Sequence, residues 1–144
     1  MKKMMLILAC VITLVTNVKA DNYQAITLTQ LPANAQTFLS THFSGSKISL
    51  VRKEIDILEL SYDVIFADGS KVEFDRRGHW TEVDCLTQPL PAGIVPADIS
   101  KHIKAQYPQA YPTKIERDHR ETDVKLSNRV ELTFNKKGQL IDID

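Results

Sequence analysis

The side chains able to do chemistry are few and scattered. The sequence holds no HExxH, no GxSxG, no glycine-rich phosphate loop and no CxxC. Its histidines, His42, His79, His102 and His119, fall in four separate segments. Cys85 with His79 is the nucleophile–base pair that can be imagined. Strand alternation puts His79 in a turn and Cys85 inward beside Val83, so Cys85 reads as a small buried hydrophobe. Calcium asks for six to eight oxygen ligands. The candidates are Asp68, Asp75, Asp84 and Asp142, with Ser70 and Asp144 nearby in sequence. None has the spacing of an EF-hand loop, and turn formation accounts for aspartates at such places. Recognition is the third possibility. Alternation sets Asp63, Ile65, Glu73, Trp80, Glu82 and Asp84 on one side of the predicted strands, joined by Lys125, Glu131, Thr133, Leu140 and Asp142. An exposed Trp among carboxylates suits protein binding.

Three strands with two tight turns position most of these groups, over Glu59 to Cys85. Leu60, Tyr62, Val64 and Phe66 are two apart and share a face. Asp68-Gly69 predicts a type I′ hairpin. Val72 and Phe74 continue the apolar face. Gly78 suits a left-handed position in the second turn. Trp80 to Cys85 forms the last strand, with Thr81, Val83 and Cys85 inward and Trp80, Glu82 and Asp84 outward. One apolar and one mixed face describe an antiparallel sheet covered on one side.

Lys2 and Lys3 precede an apolar run from Met4 to Val15, and Val18-Lys19-Ala20 suits cleavage. Residues 1–20 therefore read as a secretory signal peptide. Lipidation at Cys10 fits poorly, because apolar Val11 to Val15 would remain at the new end. The run is shorter than the roughly 20 apolar residues of a membrane span, so none is expected after cleavage. Removal of residues 1–20 leaves 15 bases against 18 acids, a net charge of −3. That balance excludes a basic platform for nucleic acid. Cys10 leaves with the signal, and Cys85 then has no intramolecular disulfide partner.

Pro32 to Phe43 predicts a helix with Ala35, Phe38, Leu39 and Phe43 on one face, after a loose lead-in at Asp21 to Thr29. Ile48 to Glu54 is the next strand. The pattern then returns. Ile99, Ile103 and Tyr107 fall 64 residues after Ala35, Leu39 and Phe43. Past a hairpin four residues shorter, the offset becomes 60: Val124, Leu126, Leu132 and Phe134 answer Val64, Phe66, Val72 and Phe74. Leu86 to Val95 has linker character. The expectation is an α+β chain of two tandem repeats, about 30–85 and 90–144. Each is a helix or helix pair on one face of a roughly four-stranded antiparallel sheet. The two form a single domain over 21–144, since neither half has much core alone.

The segments LPANAQTFLSTHF, YDVIFADGSKVEFDRRGHWTEVD, IVPADISKHIKAQYP and VELTFNKKGQLIDID resemble the PepSY-like periplasmic proteins, whose fold is similar to the beta-lactamase inhibitor protein. The resemblance implies a periplasmic or secreted protein with a binding or inhibitory role, and in some relatives calcium dependence. It brings no catalytic residues. One departure is Arg129, which stands where the first half has Gly69. The leading expectation is an exported module without catalysis or cofactor, recognising an envelope or extracellular protein through the open sheet face. The alternative is a calcium-responsive structural or sensor domain of the envelope.

Overall fold

The computed structural model describes residues 22–144. The expected signal segment, with Cys10, lies outside the described residues. Nine strands and two helices follow in chain order: β1 (Tyr23–Ala25), α1 (Ala33–His42), β2 (Ile48–Ile55), β3 (Leu60–Phe66), β4 (Lys71–Asp75), β5 (Trp80–Asp84), α2 (Ala97–Gln106), β6 (Pro112–Arg117), β7 (Glu121–Leu126), β8 (Glu131–Asn135) and β9 (Leu140–Ile143). A short 3-10 turn, Leu28–Gln30, precedes α1.

The fold is α+β, and its strands form one antiparallel sheet in sequence order, β1 to β9. That corrects the expectation of two sheets of about four strands. β5 pairs directly with β6 through Glu82–Glu116, Val83–Ile115 and Asp84–Lys114, so no break divides the halves. β1 is a further strand in the supposed lead-in, pairing Tyr23–Ala25 with Arg52–Glu54. Each half carries one helix rather than a pair.

Both helices begin immediately after a proline, Pro32 or Pro96. A fixed φ and no N–H suit that position. α1 buries Ala35 and Leu39, and α2 buries Ile99 and Ile103. The Phe38 ring meets Phe74 edge-on at 5.6 Å, and His102 meets Phe134 edge-on at 5.5 Å. Beneath the helices a row of aliphatic side chains crosses the sheet: Val51, Val64, Val72, Val83, Ile115, Val124, Leu132 and Ile143, each opposite the next.

Bulges change two predicted faces. In β5 the register slips between Glu73 and Phe74, so Trp80 lies opposite Phe74 and Thr81 is the inserted residue. An inserted residue reverses the alternation beyond it. Trp80 therefore faces the core, not solvent, and is 9% exposed. Its ring packs near Phe38, and the Arg117 guanidinium lies 3.6 Å over it. An equivalent slip in β9 sets Leu140 opposite Phe134 and against the core, again reversing the predicted side.

The turn chemistry also differs from a type I′ hairpin. Gly69 N–H donates to Phe66 C=O and Phe66 N–H to Ser70 C=O. This is a three-residue loop, with only its last residue at positive φ, Gly69 at 88°. Asp68 stays at negative φ and accepts from the Ser70 amide instead. The same bonds close Asp75–His79, Leu126–Val130 and Asn135–Gln139. Glycine is needed twice over at Gly78 and Gly138. Both have positive φ, and a Cβ there would collide with Pro32 and Ala35 or with Asp98 at a helix N-terminus.

Arg129 holds the same left-handed position at φ 72° without being glycine. A side chain costs about 1–2 kcal/mol there, partly offset by its lower entropy when unfolded. Arg129→Gly is expected to stabilise the protein by about 0.5–1 kcal/mol, roughly 2–4 °C in Tm. A thermal melt checks this; a lowered Tm would refute the assignment of strain.

Candidate functional site

The face away from the helices is uncovered, and strand register orders it into rows. Asp63, Glu73 and Glu82 lie opposite one another on β3, β4 and β5, with Arg52 heading the line on β2. Glu116, Asp123, Thr133 and Asp142 carry the line on across β6 to β9. Neighbouring strands lie roughly 4.8 Å apart, so carboxylates recur at nearly every strand. Two residues along runs a second row, Ile65, Lys71, Asp84, Lys114, Lys125 and Glu131.

The lysines only partly neutralise the acids. Lys71 Nζ lies 3.3 Å from Glu82 and 3.7 Å from Glu73. Lys114 Nζ lies 3.7 Å from the same Glu82 oxygen. Lys125 reaches Glu131 at 3.8 Å, and the Thr133 hydroxyl donates to Asp123 at 2.7 Å. A cleft of about 270 Å³ opens between these side chains on the second half. At the other end, Asp63 is 5% exposed and held by Arg52, whose Nε and Nη2 reach Oδ2 at 2.9 and 2.8 Å. That guanidinium lies 3.8 Å over the Tyr23 ring.

These surroundings move the ionisable groups. Burial, then Asp63, Glu82 and Glu116, raise the Glu73 carboxyl above its ordinary value, against Lys71. Burial works against the Lys71 ammonium, but Glu82, Asp63 and Glu73 outweigh it and raise that group. Burial, with Asp68 and Asp84, pushes the Cys85 thiol up to about 11. A thiol so protonated is no nucleophile near neutral pH. His79 lies before β5 and Cys85 after it, at opposite strand ends, so the two form no dyad.

Of the residues expected to bind a partner, Asp63, Ile65, Glu73, Glu82 and Asp84 share the open face, and Trp80 does not. The expected calcium ligands do not converge. Asp68 sits in the turn before β4, Asp75 closes β4 at its other end, Asp84 closes β5 and Asp142 lies on β9. Asp75 accepts from the Arg77 and His79 amides, and Asp84 from the Leu86 amide. Among the described residues no three His, Cys, Asp or Glu side chains come together to hold a metal. Sequence reasoning missed Arg52, Lys71, Lys114, Glu116 and Asp123. The 64-residue offset pairing Ile115 with Val51 held the signal, because it fixes Lys114 and Glu116 on the open face.

Glu73 provides a test of what a half-buried charge in this row costs. Its folded-state value lies above the unfolded one, so the fold keeps this proton longer. Stability is therefore lost as pH rises through the carboxylate range. Glu73→Gln is expected to raise Tm at pH 7, with a gain that shrinks as pH falls through that range. A constant gain at all pH values would show that charge is not its cause.

A family model described as "Putative beta-lactamase-inhibitor-like, PepSY-like" matches residues 60–142. A "putative calcium-regulated periplasmic protein" from Bacteroides thetaiotaomicron is 51% identical with TM-score 0.83, over 85% of this chain and 96% of that one. A "putative periplasmic protein from DUF2874 family" of Bacteroides vulgatus is 46% identical with TM-score 0.84, over 87% and 98%. A second B. vulgatus periplasmic protein, of unknown function, is 32% identical with TM-score 0.80, over 85% and 98%. A comparison with curated proteins finds no match. Among the described residues no helix is long and apolar enough to cross a membrane. With a family match over more than half its length and such relatives in the envelope, this chain belongs to the PepSY-like family and is a periplasmic protein.

Proposed function

We propose that the protein is a non-catalytic recognition module that binds a basic surface of another envelope or extracellular protein with its open sheet face. The observation that carries this is the line of six carboxylates from Asp63 to Asp142, broken only by Thr133 on β8. Like charges directly opposite in a sheet are destabilising. Burial first, and then the carboxylates of Asp63, Glu82 and Glu116, raise the Glu73 carboxyl within the fold. A cationic partner would relieve the repulsion, and electrostatic complementarity would steer the encounter. Occupying an enzyme's surface in this way would inhibit it, which fits the inhibitor-like description of the family.

The two halves are best read as tandem copies that share one sheet. In support, Phe38–Phe74 and His102–Phe134 repeat one edge-on contact at positions offset by 64 and 60. The hairpin missing four residues in the second half is two residues shorter on each strand, closing at Asp118–Glu121 instead of Asp56–Glu59. The first hairpin ends in Ile57 and Leu58, both 96% exposed.

The face is tested by neutralising its centre with Glu73→Gln, Glu82→Gln and Glu116→Gln together. Immobilised wild-type protein is expected to retain a basic protein from periplasmic extract and to release it with salt. The triple variant is expected to retain at least tenfold less while melting no lower. Equal retention by both proteins would refute the reading.

A second reading is favoured by one observation, the calcium-regulated description of the 51% identical relative. A calcium-responsive domain would melt higher in millimolar calcium than in chelator, because a ligand of the native state stabilises it. Identical melts in both would remove this reading.

A further inference from the structure

The aliphatic row beneath the helices ends differently from its interior. Val83 on β5 is 0% exposed, because β6 sets Ile115 beside it. Ile143 holds the matching place on β9, opposite Leu132 as Val83 is opposite Val72, and is 54% exposed. Among the described residues no strand pairs with the outer side of β9.

The backbone there is ready for pairing. Glu131 and Asp144 exchange both hydrogen bonds at 2.9 Å. Antiparallel alternation then turns the N–H and C=O of Ile143 outward. On β5 the corresponding direction is used by β6, where the Cys85 amide donates to Thr113 C=O at 2.9 Å. Apolar edges with free backbone are templates for an added strand.

Charge selects what can be added. Asp142 and Asp144 flank Ile143. A second copy laid antiparallel through Ile143 would set Asp142 against Asp144 or against its own counterpart, and like charges opposite are destabilising. β6 provides the internal example, with Lys114 opposite Asp84 and Ile115 opposite Val83, while its Glu116 opposite Glu82 shows the repulsion that a cation in that place would remove. We propose that the outer edge of β9 is a docking site for an extended segment of a partner protein, with an aliphatic residue between lysines or arginines. That segment adds to the sheet as a further strand, covering Ile143 and pairing its charges with Asp142 and Asp144. This edge borders the acidic face, sharing Asp142 with its row, but its outward backbone and Ile143 belong to the edge alone.

A capped, fluorescent Thr-Lys-Ile-Lys-Val-Lys peptide tests the edge on the full protein. Saturable binding by anisotropy is expected, with slowed hydrogen exchange at the Ile143 amide. Ile143→Pro removes the outward N–H and leaves the bonds to β8, so it should weaken binding at least about tenfold while circular dichroism stays unchanged. Asp142→Lys with Asp144→Lys should shift preference to the same peptide with glutamates for lysines. The triple glutamine variant of the face should bind the peptide as wild type does, which separates this site from the face. Three results would each overturn the proposal: no saturable binding, undiminished binding by the Ile143→Pro protein, or a dimer abolished by Ile143→Pro, which would assign the edge to a second copy.

Discussion

The structure depends on one row of aliphatic contacts. Val51, Val64, Val72, Val83, Ile115, Val124 and Leu132 are all at or near complete burial, one per strand from β2 to β8. Full burial of such side chains contributes roughly 1.5–3 kcal/mol each. Slipping any strand by one residue would move its member to water, so the row fixes register across the sheet. It also makes one sheet of the two halves. Val83 and Ile115 belong to different halves, and each completes the cover of the other.

The acidic face follows from the same register. Asp63, Glu73, Glu82, Glu116 and Asp123 each stand one residue from a member of the aliphatic row, so fixing that row aligns them. Opposed like charges cost up to about 1 kcal/mol per pair. Aliphatic burial on the other face is larger, and the sheet forms despite the repulsion. Lys71 and Lys114 moderate it by sharing Glu82. The face is thus built from charges that the fold tolerates and does not need.

Alternation made most of the sheet legible. β3, β4, β7 and β8 have the faces that a count by twos assigns, because nothing is inserted within them. The count fails at Trp80 and Leu140, since an inserted residue at Thr81 or Ile141 leaves no mark in a short run. Gly78 has the left-handed φ its turn predicts, whereas the Asp68-Gly69 loop is not the type I′ that the dipeptide suggests. Asp68-Gly69 satisfies two loop lengths, and the choice falls to Asp68 bonding Ser70. Joining or packing of the halves follows from their small cores, but the β5–β6 pairing has no local signal, because the linker and α2 separate Val83 from Ile115. Of the acidic residues near turns, Asp68, Asp75 and Asp84 accept from backbone amides, which is the structural work such residues do.

The same neighbour logic explains why the halves differ at Trp80 and Leu140. Both residues follow a turn, face the core and lie opposite a phenylalanine. At β5 the next strand ends in Arg117, whose guanidinium covers the indole and whose Nε donates to Trp80 C=O at 2.9 Å. Burial lowers the affinity of Arg117 for its proton, Asp75 opposing, yet a guanidinium stays charged under any ordinary condition. A broad ring is thus enclosed on both sides at the joint between halves. At β9 no such strand is present among the described residues, and a ring that size would lie largely in water. Leucine is the smaller residue, opposite Phe134 and packed against the core. The large aromatic belongs where two halves meet, and its place in the sequence is set by what lies beside it rather than by the hairpin it starts.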